Sequence, residues 1–173
     1  MPFVTTADAV PRETAWLLTT GDGLPNLLAD AGGRWDLING YWRRTPPQRK
    51  RVIWVNRLRT EVRRRAHVRK LVTYHFELEL WWPLANQSGV AETDQAEFDK
   101  AINDLVMRIS GFGYTATSAA DKTHGGRFLS VGETEFHGDS IDVDTPPSIQ
   151  TLDTSVGFKG TVRYFADDFE FNN

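Results

Sequence analysis

The chain has 173 residues, 40% of them hydrophobic, with six Trp, ten Phe and four Tyr, enough apolar mass for one core and too much for a disordered polymer. It has no cysteine, which excludes disulfides, thiolate-bound zinc or iron–sulfur centres and a thiol nucleophile. The formal charge of −3 conceals a gradient: residues 1–42 carry −3, residues 43–70 carry +11 from twelve Lys and Arg against the single Glu61, and residues 71–173 carry −11.

The first residues, MPFVTTADAVPRETAW, lack the basic and apolar regions of a secretory signal. No stretch stays apolar for the ~18 residues of a membrane span, so no membrane contact is expected. Residues Thr6 to Ala31 predict a helix in two pieces, with Thr6 or Asp8 as cap, a break at Gly21-Asp22-Gly23, and an end at Gly32-Gly33. Residues 34–50 have no period, and Pro46-Pro47 predict an extended, exposed linker in which Trp35, Tyr41 and Trp42 act as packing anchors. Arg51 to Val55 is a short β-rich run, and the basic residues 56–70 continue it as a connection or strand extension, which predicts a hairpin with a long basic tip.

The clearest pattern lies at 71–82. Val72, Tyr74, Phe76, Leu78, Leu80 and Trp82 alternate with Leu71, Thr73, His75, Glu77, Glu79 and Trp81, the period-two signature of a long, half-buried strand. At about 3.3 Å per residue this strand is roughly 40 Å long, so it is expected to outrun its own subunit's sheet and to offer the face of Thr73, His75, Glu77, Glu79 and Trp81 to a neighbouring chain. Next comes an amphipathic helix at 93–110, with Phe98, Ala101, Ile102, Leu105, Val106 and Ile109 on one face, Thr93 or Asp94 as cap, an Asp94–Glu97 capping box, and Gly111 at its end. Residues 111–126 read as a long Gly-rich loop. Strand material follows at 127–136 and 141–143 within a region of loops, 137–155, and a last strand covers 156–165 before an acidic, frayed tail. Together these elements predict one α+β domain over 1–173: a mostly antiparallel or mixed sheet around the long strand, packed by the amphipathic helix and an N-terminal helical segment.

Few side chains carry recognisable chemistry. His75 and Glu77 could form a metal or acid–base pair, but no third ligand is in sight, and polar residues on a strand's outer face are usually its wet side. His124 and His137 read as surface histidines. Ser130, Ser140 and Ser148 lack a nucleophile elbow, Gly111-x-Gly113 fails the dinucleotide fingerprint, and there is no Walker motif, so neither an enzyme nor a bound cofactor is expected. What exceeds the needs of solubility is the cluster Arg57, Arg59, Arg63, Arg64, Arg65, Arg69 and Lys70. Its density fits contact with nucleic-acid phosphates or with the acidic surface of an identical neighbour.

The segments YHFELELWWPL (74–84), ETDQAEFDKAINDLVMRI (92–109) and VGFKGTVRYF (156–165), in the order long strand, helix, closing strand, resemble the tail terminator and tail completion proteins of long-tailed DNA bacteriophages. The resemblance implies a structural virion protein of the head–tail neck, assembled in the host cytoplasm. It would act as a homohexameric ring that caps the tail tube, stops its polymerisation and meets the head connector or stopper protein, with double-stranded DNA passing through the lumen. On that reading the basic cluster faces DNA, the lumen or a neighbouring subunit. Another position in the neck, or a free nucleic-acid-binding module using 57–70, is the alternative.

Overall fold

A computed structural model describes residues 8–41, 49–65, 69–85, 91–111, 121–134 and 138–171. In chain order the elements are α1 (Ala9–Leu17), a 3-10 turn (Ala29–Ala31), β1 (Leu37–Gly40), β2 (Val52–Arg64), β3 (Arg69–Pro83), α2 (Ala91–Ser110), β4 (Ser130–Val131), β5 (Glu133–Thr134), β6 (Gly138–Asp139), β7 (Ile141–Asp144), β8 (Ile149–Leu152) and β9 (Ser155–Phe171). They form a single α+β domain around a seven-stranded mixed sheet. Its path runs β1-β2-β3-β9, and β8, β7 and β4 line the far side of β9; β5 and β6 make a small separate ribbon.

β3 is the central strand because its alternation satisfies two environments at once. Val72, Tyr74, Phe76, Leu78, Leu80 and Trp82 all join the core, where they meet Phe98, Ala101, Ile102, Leu105 and Ile109 of α2 and Val10, Trp16 and Leu17 of α1. Both helices therefore cover one face of the sheet, called here the helix face. The opposite face carries a smaller cluster of Val52, Trp54 and Trp81 with Leu37 and Leu152 against it. The Trp82 and Phe98 rings sit 5.7 Å apart, with Trp35 edge-on to both. At the end of β3 the backbones close so tightly that a Cβ on Gly157 would lie 2.2 Å from the Trp82 carbonyl oxygen.

Several expectations need correction. The long strand does not outrun its sheet. β9 pairs with it from Arg69↔Phe171 to Pro83↔Gly157, and β2 pairs with it on the other side, so β3 has no open edge for a neighbour. The final strand is correspondingly long, and the acidic segment from Ala166 to Phe171 lies inside it rather than fraying. The second N-terminal helical piece does not form: Leu24 to Leu28 stay non-helical, Leu28 bridges to Trp35, and only the 3-10 turn follows. Pro25 has no N–H to give a helix, and the Asn26 side chain instead donates to the Ala31 carbonyl, 3.0 Å.

The 34–50 linker contains β1, which runs parallel to β2 as an edge strand. Trp35 is its buried anchor, whereas Tyr41 is exposed; Trp42, Pro46 and Pro47 lie outside the described residues. α2 starts at Ala91, ahead of Thr93 and Asp94, so Asp94 is not the cap. Its carboxylate accepts from the Ala85 N–H at 3.1 Å, while Glu97 pairs with Lys100 and Arg34 instead of closing a capping box. Gly111 does end the helix, with φ +74. Within the expected strand 127–136 only β4 and β5 form among the described residues; the strand expected at 141–143 is present as β7, and the surrounding region read as loops, 137–155, also holds β6 and β8.

Candidate functional site

The basic cluster begins where β1 stops. β1 ends at Gly40 opposite Val55, and up to that point β2 is an interior strand with Val52, Ile53, Trp54 and Val55 all buried. From Arg57 onward β2 has β3 on one side and, among the described residues, no strand on the other. Its burial collapses: Arg57, Leu58, Arg59, Val62, Arg63, Arg64 and Arg65 are exposed, while Leu71, Val72, Thr73, Tyr74 and Phe76 of β3 stay buried. The run of arginines is thus an edge strand, and charged side chains are a common device for keeping such edges from pairing indiscriminately.

A β-bulge at Arg57/Arg59 sets which side chain points where. Before it, Asn56 stands opposite Glu77; after it, Arg59, Glu61 and Arg63 stand opposite His75, Thr73 and Leu71. The extra residue keeps those three on the open face and sends Thr60, Val62 and Arg64 to the helix face, beside Tyr74, Val72 and Lys70. Without it the two sets would trade faces. The hairpin then closes at the Arg65 N–H, which donates to the Arg69 carbonyl at 3.1 Å, and the Arg69 guanidinium lies 3.5 Å from the Phe169 ring centroid.

On the open face the polar side chains form rungs across β2, β3 and β9. Glu61 accepts from Arg59 (2.9 Å) and Arg63 (3.5 Å) and contacts His75 Nε2 at 3.2 Å. Thr73 donates to Asp167 at 2.5 Å, and Arg163 donates to Glu77 at 2.6 Å. Asn56 reaches Glu79 at 3.4 Å. Burial, helped by the neighbouring Glu77 and opposed by Lys159, pushes the Glu79 carboxyl up from its ordinary value. The pairing with Glu77 pushes the Arg163 guanidinium up. His75 and Glu77 thus answer to different partners, Glu61 and Arg163, and among the described residues no group of three His, Asp or Glu side chains is placed to hold a metal. Thr73, His75, Glu77 and Glu79 are engaged within the chain, and Trp81 is buried with Val52 and Trp54. A cleft of about 740 Å³ opens at the opposite end of the sheet, lined by Asp36, Arg51, Trp82, Asp94, Glu97 and Ser155. Arg51 there grips Asp36 through two nitrogens and holds its carboxyl below the ordinary value.

The sequence reading missed a buried polar network. His124 is fully buried, not a surface residue, and stacks on Trp16 with ring centroids 4.9 Å apart. Its Nε2 faces the Ile109 carbonyl at 2.8 Å, which only accepts, so that nitrogen donates; its Nδ1 lies 2.8 Å from Glu13 Oε2. The other Glu13 oxygen accepts from Tyr164 Oη at 2.5 Å. Burial first, then Glu13, pushes the Tyr164 phenol well above its ordinary 10.0. Close by, the buried Arg108 donates to the carbonyls of Trp16 (3.2 Å) and Pro25 (3.0 Å), to Thr19 and to Asp22 (3.0 Å), pinning α2 to the N-terminal segment. Partners 111 and 151 residues apart leave no local signal in the sequence. No protein-family model matches the chain, and no curated protein matches it.

Proposed function

We propose that the chain is a non-enzymatic structural protein of the head–tail neck of a long-tailed DNA bacteriophage. In this reading it is the tail terminator, a homohexameric ring that caps the tail tube, halts its polymerisation and meets the head connector or stopper, with genomic DNA passing through the lumen. Assembly takes place in the host cytoplasm and the protein ends in the virion neck. The observation that carries the reading is the second half of β2: a strand that after Val55 has no strand beside it but β3 among the described residues and from there on presents exposed arginines, in a chain whose remainder is acidic.

Such a strand suits a subunit that neighbours complete. The long β3, the helix laid across it and the closing β9 stand in the order that the resemblance requires. A non-catalytic role is supported by the Glu13–His124–Tyr164 network: it has the residue types of an acid–base site, yet all three side chains are sealed from solvent and their polar atoms are spent on holding α1, α2 and β9 together. Native mass spectrometry is expected to give a hexamer, and electron microscopy annular particles that bind tail tubes. A strictly monomeric protein that ignores tail tubes would overturn the proposal.

One observation favours a second reading, a free nucleic-acid-binding module. The bulge distributes exposed arginines over both faces of the edge, as a strand lying between phosphates would require. That reading expects steeply salt-dependent duplex binding by the isolated chain, lost when Arg63, Arg64 and Arg65 become Ala; binding that survives this change would exclude it.

A further inference from the structure

We infer that a cavity on the open face of the sheet, between β3, β9 and the β7–β8 connection, seats an arginine side chain of another protein. The inference goes beyond the readings above: it uses no residue of the arginine-bearing half of β2 and holds whether or not copies form rings.

Two successive rungs of the open face have the same plan. In the first, Arg163 of β9 stands between Glu77 of β3 and Asp142 of β7. In the second, Thr161 of β9 stands between Glu79 of β3 and Asp144 of β7. Each rung therefore reads acid, centre, acid across three strands, with the outer backbones about 10 Å apart. The first rung holds its own cation: Arg163 donates to Glu77 at 2.6 Å and feels the charges of Asp142 and Asp144 as well. The second has none, because threonine brings no charge. Among the described residues no ion pair is formed by Glu79 or by Asp144, and Glu79 has the Asn56 carboxamide at 3.4 Å. Lys159, one rung further along β9, keeps its Nζ 6.0 Å from the Trp81 ring centroid and pairs with neither carboxylate.

The space that this second rung leaves is a cavity of about 220 Å³, lined by Glu79, Asp144 and Thr161, by the indoles of Trp54 and Trp81, and by Gln150. Carboxylates on an exposed sheet face are commonly no more than its wet side. Glu79 departs from that pattern, since burial pushes its carboxyl up and Lys159 offsets the effect only in part. Acids beside indoles select an organic cation. A phosphate would be repelled, and no group of three His, Asp or Glu side chains among the described residues is placed to hold a metal. Of the two basic side chains the guanidinium fits better: it is planar, weakly hydrated, stacks on aromatic rings and can donate to two carboxylates at once, as the filled rung beside it illustrates. A protein is favoured over the free amino acid by the strand edge next to the cavity, where Val143 and Ile149 are exposed.

The test is titration of the full chain with a blocked Gly-Arg-Gly tripeptide, read from the indole N–H signals of Trp54 and Trp81 by NMR, with circular dichroism to follow the fold. A dissociation constant of roughly a few millimolar is expected for one side chain. The citrulline tripeptide, of the same shape without the charge, is expected to bind at least about tenfold more weakly, and so is Gly-Arg-Gly to the Glu79→Gln/Asp144→Asn chain. Thr161→Arg, which gives the second rung the cation of the first, is expected to abolish binding in a folded chain. Indole signals that do not move, citrulline bound as tightly as arginine, or affinity that survives the double change would overturn the inference. Equal binding of the lysine tripeptide would overturn the choice of arginine, and tighter binding of free arginine the choice of a protein. Lys159→Gln is expected to tighten binding; a chain that binds the peptide only after that change would show the cavity to be the seat of Lys159 and would overturn the inference too.

Discussion

The two halves of β2 differ although they belong to one strand and face one partner. From Val52 to Val55 every side chain is buried, with Trp54 in the small open-face cluster and Ile53 and Val55 in the main core. From Arg57 to Arg64 the strand is exposed or half-exposed throughout, yet β3 opposite it, apart from the half-buried His75, remains buried as far as Leu71. The difference lies in the neighbours. β3 has β2 and β9 on its two sides along its length, whereas β2 loses β1 after Val55. Burial follows what flanks a strand, and among the described residues the change from Val/Trp to Arg coincides with the end of β1.

Substitutions should separate the two regimes. The largest effect is expected from Phe76→Ala in the closed part, about 4 kcal/mol of lost stability by urea denaturation, because the ring packs against Tyr74, Phe128 and Tyr164 and the cavity cannot fill. Removing the carboxylate of the buried network comes next. Glu13→Ala leaves His124 Nδ1 without its partner and the Tyr164 hydroxyl without its acceptor and is expected to cost about 3 kcal/mol.

The same network predicts a pH signature. The folded-state pKa of Tyr164 is raised above 10.0. The stability tied to its neutral form is therefore fully present below about pH 10 and is lost as pH rises beyond that, when the unfolded chain releases the proton and the folded one does not. Alkaline denaturation curves should show this loss in the wild type and a smaller one in Tyr164→Phe; identical slopes would remove Tyr164 as the cause. The smallest effect is expected on the edge itself. Arg59→Glu with Arg63→Glu, although it removes two arginines from Glu61, should shift the unfolding free energy of the monomer by no more than about 1 kcal/mol, since exposed pairs contribute little.

How much of this the sequence disclosed depended on whether the signal was local. The alternation of 71–82 and the stripe Phe98, Ala101, Ile102, Leu105, Ile109 are local periodicities, and both appear where expected. The basic hairpin was legible as well, because charge density needs no partner to be seen. Its division between two faces was not, since a single inserted residue at the Leu58 bulge reverses the facing of everything after it and leaves no mark in composition. β1 and β8 have only four residues each, were not expected as strands, and exist because β2 and β9 offer edges to pair with. His124 looked like a loop histidine because Glu13 and Tyr164, which explain its burial, are far away in the chain.

The proposal that copies of the chain assemble through the arginine-bearing half of β2 is tested most directly by amide hydrogen exchange, measured below and above the concentration at which copies associate. The account predicts that the amides from Arg57 to Arg64 gain protection on association while those from Val52 to Val55 stay as slow as before. Equal exchange of the 57–64 amides in the dispersed and associated states would contradict it.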